Sequence, residues 1–204
     1  KKYIRVDSAG VSEDGEFYFK IKPKEIGFYM LKLSKNNFIT LLIDKGENIE
    51  VSGDARQLIK TYTVNGSSGS ELILELDNYL QHNYLKVDSL GKIFQASKNK
   101  DNFTAIKASL DSSYKEIFMD QKNFLKKFID KNISSLACIV AIYQRFGQEP
   151  LFSLSDDEDF AVATLGFLES GKGFLGVARV RGRDEKGILV DETGEPIIAI
   201  DEDR

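Results

Sequence analysis

The stretch NGSSGS at residues 65–70 marks a change in the hydrophobic period of this 204-residue chain. Before it, apolar residues alternate with polar ones, which is typical of strands that are covered on one face. After it, apolar residues recur at steps of three and four, which predicts amphipathic helices. Ser70 is the expected N-cap of the first helix, with Glu71 placed to complement the helix dipole. The stretch therefore separates a predicted β domain, residues 1–66, from a predicted helical region, residues 67–150.

The part upstream of this stretch contains five short strand-like runs with turn residues between them. They cover residues 16–21, 27–33, 38–43, 48–53 and 62–64. Alternation puts Phe28, Met30 and Lys32 on one face of the second run, and the apolar run 38–43 is typical of a strand covered on both sides. We therefore predict an α+β protein whose N-terminal part is an antiparallel β-sandwich or partial barrel.

The part downstream carries two long apolar stripes that predict an antiparallel helical hairpin. The first stripe consists of Leu72, Leu76, Leu80, Tyr84, Val87, Leu90 and Phe94. The second consists of Phe103, Ile106, Leu110, Tyr114, Ile117, Phe124 and Phe128, with an interruption at the polar Gln121. A third, shorter helix is expected from the cap at residues 132–134 to about Phe146, where Gly147 and Pro150 end it.

Residues 151–204 form an acidic tail in which we expect a short helix and strand-like runs. Residues 155–159, a serine followed by four acidic residues, are expected to cap a helix that carries Phe160, Leu165 and Leu168. The strand-like runs are 174–180, 188–190 and 197–200, and residues 191–196 are the expected turn of a β-hairpin.

The charge of the chain is small and unevenly distributed. Lys and Arg number 28 against 32 Asp and Glu, which gives a net charge of −4. Residues 1–150 carry a net charge of +3 and residues 151–204 one of −7. A nucleic-acid-binding protein needs clustered basic side chains to neutralise phosphates, so we expect no nucleic-acid partner.

One cysteine, Cys138, and one histidine, His82, exclude several kinds of enzyme site. One thiol forms neither an internal disulfide nor a CxxC pair, and a zinc site needs further ligands. Cys138 lies in the apolar run 136–141, which favours a buried and inert thiol. His82 has no second ligand or nucleophile near it in the sequence, so a surface position on a helix is expected. We predict no catalytic residue, no metal site, no cofactor and no enzymatic activity.

Three further stretches resemble ligand-binding motifs without meeting their structural requirements. Residues 171–176 fit the pattern GxGxxG, but a predicted helix precedes them and strand-like sequence follows, which reverses the order needed for dinucleotide binding. Residues 66–70 lack the Lys-Ser/Thr pair of a phosphate-binding loop, so a helix cap is favoured. The acidic run 156–159 lacks the spaced oxygen ligands of an EF-hand and favours a charged helix start.

No run of 18 apolar residues is present, so we expect no membrane-spanning helix. The chain opens on Lys1 and Lys2 without an initiator methionine or an apolar signal core. We therefore expect that a leader has been removed from a precursor.

The order and spacing of several sequence pieces resemble a known family. The pieces are GEFYF at 15–19, GFYML at 27–31, LLIDKGENIEVSGD at 41–54, YTVNGS at 62–67 and NISSLA at 132–137. Together they resemble, over about residues 1–150, a domain-of-unknown-function family found in Bacteroidetes envelope proteins. In that family a β-sandwich is followed by a helical segment, and usually by a thioredoxin-like domain of the alkyl hydroperoxide reductase/thiol-specific antioxidant and thiol-disulfide oxidoreductase type.

The resemblance implies a place in the periplasm or cell envelope, with a lipid anchor in the precursor as a further expectation. It also implies a protein partner in the envelope, with a thioredoxin-like domain as one candidate. The redox members of the family carry a Trp-Cys-x-x-Cys motif, whereas this chain has no tryptophan and no second cysteine. No redox residue is therefore carried over.

Three functions remain open from the sequence. The leading one is a non-catalytic envelope module that binds or positions a partner, through an exposed apolar patch formed by Tyr18, Phe28 and Met30. The second is an accessory subunit of a thiol oxidoreductase, in which Cys138 forms an intermolecular disulfide. The third is a small-molecule carrier with a cavity between the strands and the helices.

Overall fold

The computed structural model describes residues 5–152 and the backbone of four short strands within residues 161–190. The predicted order of antiparallel strands, then helices, then short C-terminal strands is confirmed. The N-terminal elements are β1 (Gly27–Ser34), β2 (Asn37–Ile43), β3 (Glu50–Ser52), α1 (Leu58–Thr61) and β4 (Thr63–Asn65). The helical part consists of α2 (Ser68–Ser97), α3 (Phe103–Lys131) and α4 (Ala137–Ile142), followed by β5 (Arg145–Phe146) and β6 (Glu149–Pro150).

Strands β1 and β2 form an antiparallel hairpin around the polar turn at residues 35–36. Its register places Tyr29 opposite Leu41 and Leu31 opposite Ile39, so these side chains share one face. That face packs on the N-terminal hydrophobic core, whose buried members are Ile39, Leu41, Ile43, Leu58, Tyr62 and Val64. Strands β3 and β4 form a second antiparallel pair beside it, in which Val51 lies opposite Val64. The described strands are therefore arranged as two-stranded sheets.

The expected strand at residues 16–21 is absent from the structure, and this prediction is wrong. The segment has no regular secondary structure, and Phe17 and Tyr18 are exposed while Ile21 packs against the N-terminal core. Its alternating pattern is strand-like, but a strand forms only where a neighbouring strand accepts its backbone hydrogen bonds. No described strand pairs with this segment.

The start of α2 differs from the prediction, because its N-cap is Ser67 and not Ser70. The Oγ of Ser67 accepts a hydrogen bond from the backbone N–H of Ser70 at 3.2 Å. Gly66 before it has φ +83°, and a Cβ there would collide with the carbonyl oxygen of Asn48. The Oγ of Ser70 is used instead to bond the strand, since it accepts from the N–H of Leu42 at 3.1 Å and donates to the Leu42 carbonyl at 3.0 Å.

Helices α2 and α3 have 30 and 29 residues and pack against each other as the predicted hairpin. Helices of this length extend about 45 Å. The half of the hairpin near the strands is covered by α4 and by the residues after it. The buried core there includes Ile73, Leu76, Ile117, Leu125, Phe128, Ile129, Cys138 and Phe146. Farther along, Val87 and Leu90 stay half-buried.

The interruption of the second stripe at Gln121 is explained by a buried amide chain across three elements. The Nδ2 of Asn83 on α2 donates to the Oε1 of Gln121 on α3 at 2.9 Å. The Nε2 of Gln121 then donates to the Oε1 of Gln144, just after α4, at 2.7 Å. Buried polar pairs in a helical seam favour one register over others. These two hydrogen bonds therefore fix how α2 and α3 align with each other and with the segment just after α4.

The third helix is shorter than predicted, since it runs from Ala137 to Ile142 instead of from the cap at 132–134 to Phe146. The chain leaves the helix after Tyr143 because Phe146 inserts into the helical core, where its ring contacts those of Tyr84, Tyr114 and Phe118.

In the tail, the structure has a strand, Ala161–Thr164, where the sequence predicted a short helix. It pairs antiparallel with Val177–Val180, within the predicted run 174–180. The predicted run 188–190 contains the strand Leu189–Val190, but this strand pairs with Gly182–Arg183. The predicted turn at 191–196 and strand at 197–200 lie outside the described residues, as do the motifs at 156–159 and 171–176.

Candidate functional site

The outer face of the β1–β2 hairpin holds two of the three residues of the predicted patch. Phe28 and Met30 lie opposite Leu42 and Thr40, on the side away from the N-terminal core. Their side chains are 42% and 36% exposed. Both positions follow from the alternation of the strand, since successive side chains point to opposite faces.

Phe38 also lies on this face, although it was not among the predicted patch residues. It lies on β2 opposite Lys32 and is 37% exposed. The run 38–43 was predicted to be covered on both sides, and that prediction is wrong at Phe38. The signal that would have found it is the tight turn at 35–36, which sets the register and puts Phe38 on the face of Met30. We call Phe28, Met30 and Phe38 the outer apolar face.

The outer face is closed at one end by the start of α2. Leu42 belongs to this face by register, yet it is completely buried. The Oγ of Ser67 donates to the Leu42 carbonyl at 2.9 Å, which fixes the first turn of α2 over the strand. Gly69 lies so close that a Cβ on it would be 2.8 Å from the Cγ of Leu42. The helix therefore covers Leu42 and leaves Phe28, Met30 and Phe38 accessible.

Tyr18, the third predicted patch residue, is 76% exposed. It lies in the segment 16–21, which forms no strand. The structure therefore does not place Tyr18 on a common strand face with Phe28 and Met30.

The outer apolar face is accompanied by an open strand edge. Among residues 5–152, β1 pairs with β2 alone, so its other edge has no partner strand there. Lys32 is the one charged residue of β1, and the strand contains no proline. Proteins usually protect an edge strand with proline, charges or a covering element. This edge has little such protection.

Cys138 is completely buried on α4, as the sequence predicted. Its Sγ donates to the carbonyl of Asn132 at 3.0 Å. Burial raises the pKa of the thiol to about 11, so the reactive thiolate is scarce at neutral pH. In this position the thiol has neither the exposure nor the electropositive setting of a reactive cysteine.

His82 is exposed on α2 and lines an open groove of about 550 Å³. All but one of the lining residues belong to α2: they are Glu71, Leu74, Glu75, Asn78, Tyr79 and His82, with Phe124 from α3. The rings of Tyr79 and Phe124, both of which line the groove, stack at 3.7 Å between centroids. No strand residue lines it, so it is not the cavity between strands and helices that a carrier was expected to use.

A metal site and a membrane-spanning helix are both absent from the part of the chain that the structure describes. Within it, no three His, Cys, Asp or Glu side chains lie close enough to hold a metal ion. The described helices include none that is long and apolar enough to cross a membrane.

A partly buried tyrosine–carboxyl pair connects the N-terminal core to α2. The hydroxyl of Tyr62 donates to the Oδ2 of Asp77 at 2.7 Å. Burial raises the pKa of Asp77, and the hydrogen bond from Tyr62 lowers it by a smaller amount. Burial and the nearby Asp77 carboxyl raise the pKa of Tyr62 well above its usual range. This pair joins the residue after α1 to α2.

Comparison with known proteins gives one finding that supports the predicted resemblance in its general form. Residues 1–73 match the model of a family described as a domain of unknown function (DUF4369). The matched residues include the β1–β2 hairpin, the outer apolar face and the start of α2. No curated protein and no solved structure matches the chain.

Proposed function

We propose that this protein is a non-catalytic interaction module whose contact surface is the outer apolar face of the β1–β2 hairpin. The single observation that carries the proposal is the exposure of Phe28, Met30 and Phe38 on the same face of two paired strands. Exposed clusters of large apolar side chains mark sites of protein–protein contact more often than isolated ones do. Aromatic residues and methionine are enriched in such contacts.

The shape of this face suits a protein partner better than a small ligand. The outer apolar face contributes no residue to the groove described above, whereas small molecules bind in concave sites that surround most of their surface. Lys32 at the margin, opposite Phe38, supplies a polar rim. The partner we propose is a folded domain with an apolar patch of its own and an acidic residue near its edge.

The place of this contact is proposed to be the cell envelope, and the proposed partner is a thioredoxin-like domain. The resemblance of the sequence to envelope proteins that carry such domains supports this assignment. The match of residues 1–73 to a domain of unknown function is compatible with it. The chain would then hold its partner in place and leave the redox chemistry to that partner.

A role for Cys138 in an intermolecular disulfide has less support. Its side chain is buried, its pKa is raised to about 11, and it would need local unfolding of α4 to meet another thiol. We therefore give the module a positioning function and no redox step.

The test is site-specific photo-cross-linking in source cells. A photoreactive amino acid replaces Phe38 on the outer apolar face, and in a matched variant it replaces Tyr143, which is 69% exposed at the end of α4. The proposal expects one protein, identified by mass spectrometry, that cross-links at position 38 and not at 143. The purified partner should then bind the purified chain in a defined ratio.

Equal labelling of many proteins from both positions would contradict the proposal. So would a small molecule retained through purification and detected by native mass spectrometry, if replacing Phe38 with serine removed it. That second result would favour a carrier.

A further inference from the structure

We infer that β1 is also a homodimerisation strand, which pairs antiparallel with β1 of a second copy around a two-fold axis at Met30. The pairing would join two β1–β2 hairpins into one four-stranded sheet in the order β2–β1–β1–β2. It uses the edge of the hairpin, whereas the proposed function uses its outer face, and each stands without the other.

The open edge of β1 is the first observation. The strand has eight residues and, within the described part of the chain, pairs on one side only. Every unpaired backbone N–H and C=O on the other side can bond a further strand, which makes an exposed edge a template for another chain. The known protective devices are weak here, since β1 has no proline and its irregular position lies at the end, between Lys32 and Ser34.

The order of side chains along β1 is the second observation, because it is self-complementary in one register. A two-fold axis at Met30 pairs residues whose numbers add up to 60. Met30 then meets Met30 of the second copy, Phe28 meets Lys32, and Tyr29 meets Leu31. The one charged residue of the strand thus lies opposite an aromatic ring and not opposite its own copy. Ammonium–aromatic contacts are favourable, whereas like charges directly opposite are destabilising.

The position of this axis is the third observation. Met30 is the midpoint of the regular part of the strand, residues 27–33, so the register uses its full length. An axis at Lys32 would place two ammonium groups against each other and would shorten the pairing. The geometry therefore favours one register over its neighbours.

The consequence for the outer apolar face is that it doubles in size. Phe28, Met30 and Phe38 of one copy would continue into the same three residues of the other copy. Both inner faces would stay on their own cores, because pairing at the edge keeps the side-chain alternation of each strand.

The first experiment measures thiol cross-linking in the purified full chain, with Met30→Cys and Lys32→Cys compared. Cβ atoms directly opposite each other in an antiparallel pair are about 5 Å apart. Residues at position 32 of the two copies would be roughly 14 Å apart, since they are offset by four residues along the strands. A short bis-maleimide should join Met30→Cys into dimers and leave Lys32→Cys monomeric. The unaltered chain is the control, because its cysteine is buried.

The second experiment measures the dimer dissociation constant by sedimentation equilibrium for two matched charge substitutions. Met30→Glu places two carboxylates opposite each other and should weaken the dimer at least about tenfold. Phe28→Glu places a carboxylate opposite Lys32 of the second copy and should leave the dissociation constant within about threefold. Both side chains are exposed to a similar extent, and circular dichroism checks that both variants fold.

A monomeric unaltered chain at high concentration would overturn the inference, as would equal cross-linking at positions 30 and 32. Stronger loss of the dimer in Phe28→Glu than in Met30→Glu would exclude the register. Pairing of β1 with residues 16–21 of its own chain would give a monomer and would also overturn it. Phe38 lies on β2 away from this edge and therefore separates the two proposals. Phe38→Ser should weaken partner binding at least about tenfold and leave the dimer intact.

Discussion

The two faces of the β1–β2 hairpin are built from the same strands and contain similar side chains, but their environments differ. On the inner face, Ile39, Leu41 and Ile43 are at most 8% exposed. On the outer face, Phe28, Met30 and Phe38 are at least 36% exposed. Alternation produces two faces, and the elements that follow in the chain decide which one is covered.

The element that decides this is the start of α2. Its first turn lies over the outer face at Leu42 and is held there by Ser67 and Ser70, so the buried Leu42 lies directly opposite the exposed Phe28. On the inner face, α1 and the residues around Tyr62 cover the apolar side chains of β2, whereas Leu33 near the end of β1 is 40% exposed. The outer apolar face is thus an apolar strand surface that α2 covers only at one end. We propose that a partner covers the rest.

The largest difference in the free energy of unfolding is expected between two variants, each with one side chain truncated on one face of the hairpin. Ile39→Ala should lower the free energy of unfolding by about 2–5 kcal/mol, because it leaves a cavity in the N-terminal core. Phe38→Ala should lower it by less than about 1 kcal/mol, because the ring is partly solvated in the folded chain. Denaturant unfolding of both variants measures the difference. Equal losses would show that the outer face is packed in solution.

A second comparison uses two glycines of α2. Gly69→Ala should destabilise by about 1–3 kcal/mol, because its Cβ would be 2.8 Å from the Cγ of Leu42 and 3.0 Å from the Leu42 carbonyl. Gly91→Ala is the matched control, because a Cβ added there would have nothing within 4 Å and alanine favours the helix by about 0.5–1 kcal/mol. Thermal unfolding should therefore shift in opposite directions. A shift of the same sign in both would contradict the close approach of α2 to β2.

The Tyr62–Asp77 pair predicts how stability depends on pH. Because the folded pKa of Asp77 is raised above its ordinary value of about 4, the folded chain binds more protons than the unfolded chain above that pH. This group's contribution to the free energy of unfolding is therefore largest at low pH and falls as pH rises from about 4 through the raised folded pKa.

Removing the hydrogen bond between Tyr62 and Asp77 should make the free energy of unfolding fall further as the pH rises. Tyr62→Phe takes away the one contact that lowers the pKa of Asp77, so the pKa should rise further. We expect a loss of about 1–3 kcal/mol at pH 7 and a smaller loss near pH 4. Denaturant unfolding at several pH values measures this, with the exposed Tyr143→Phe as control. A loss that does not depend on pH would show that Asp77 is not involved.

The last and smallest expected effect is on the reactivity of the Cys138 thiol. Because the thiol is buried and its pKa is raised to about 11, it should react with a disulfide reagent at pH 8 only in denaturant. A chromogenic thiol titration of native and unfolded protein measures this. Rapid reaction of the native chain would revive a redox role for α4.

Much of the fold was predictable because its signals are local. The strands at 27–33 and 38–43 and both long helices follow from hydrophobic period, and the burial of Cys138 follows from its apolar neighbours. The strand at 16–21 failed because pairing needs a partner that the sequence pattern does not specify. The Ser67 cap was missed because Ser67 and Ser70 are equally good caps by type, and the contact with Leu42 decides between them.

The candidate site was predictable only in part for the same reason. Alternation gave Phe28 and Met30, since both lie on one strand face. Predicting Phe38 required the register of the hairpin and the knowledge that α2 covers the outer face no farther than Leu42. The role of Gln121 required the positions of Asn83 and Gln144 on two other elements.

The central claim is that the outer apolar face binds a protein partner, and one measurement tests it most directly. Titration calorimetry of the purified partner against the unaltered chain, Phe38→Ser and Tyr143→Ser compares a residue inside the face with an exposed residue outside it. We predict that Phe38→Ser raises the dissociation constant at least about tenfold and that Tyr143→Ser leaves it unchanged. Equal affinity of all three chains would contradict the account.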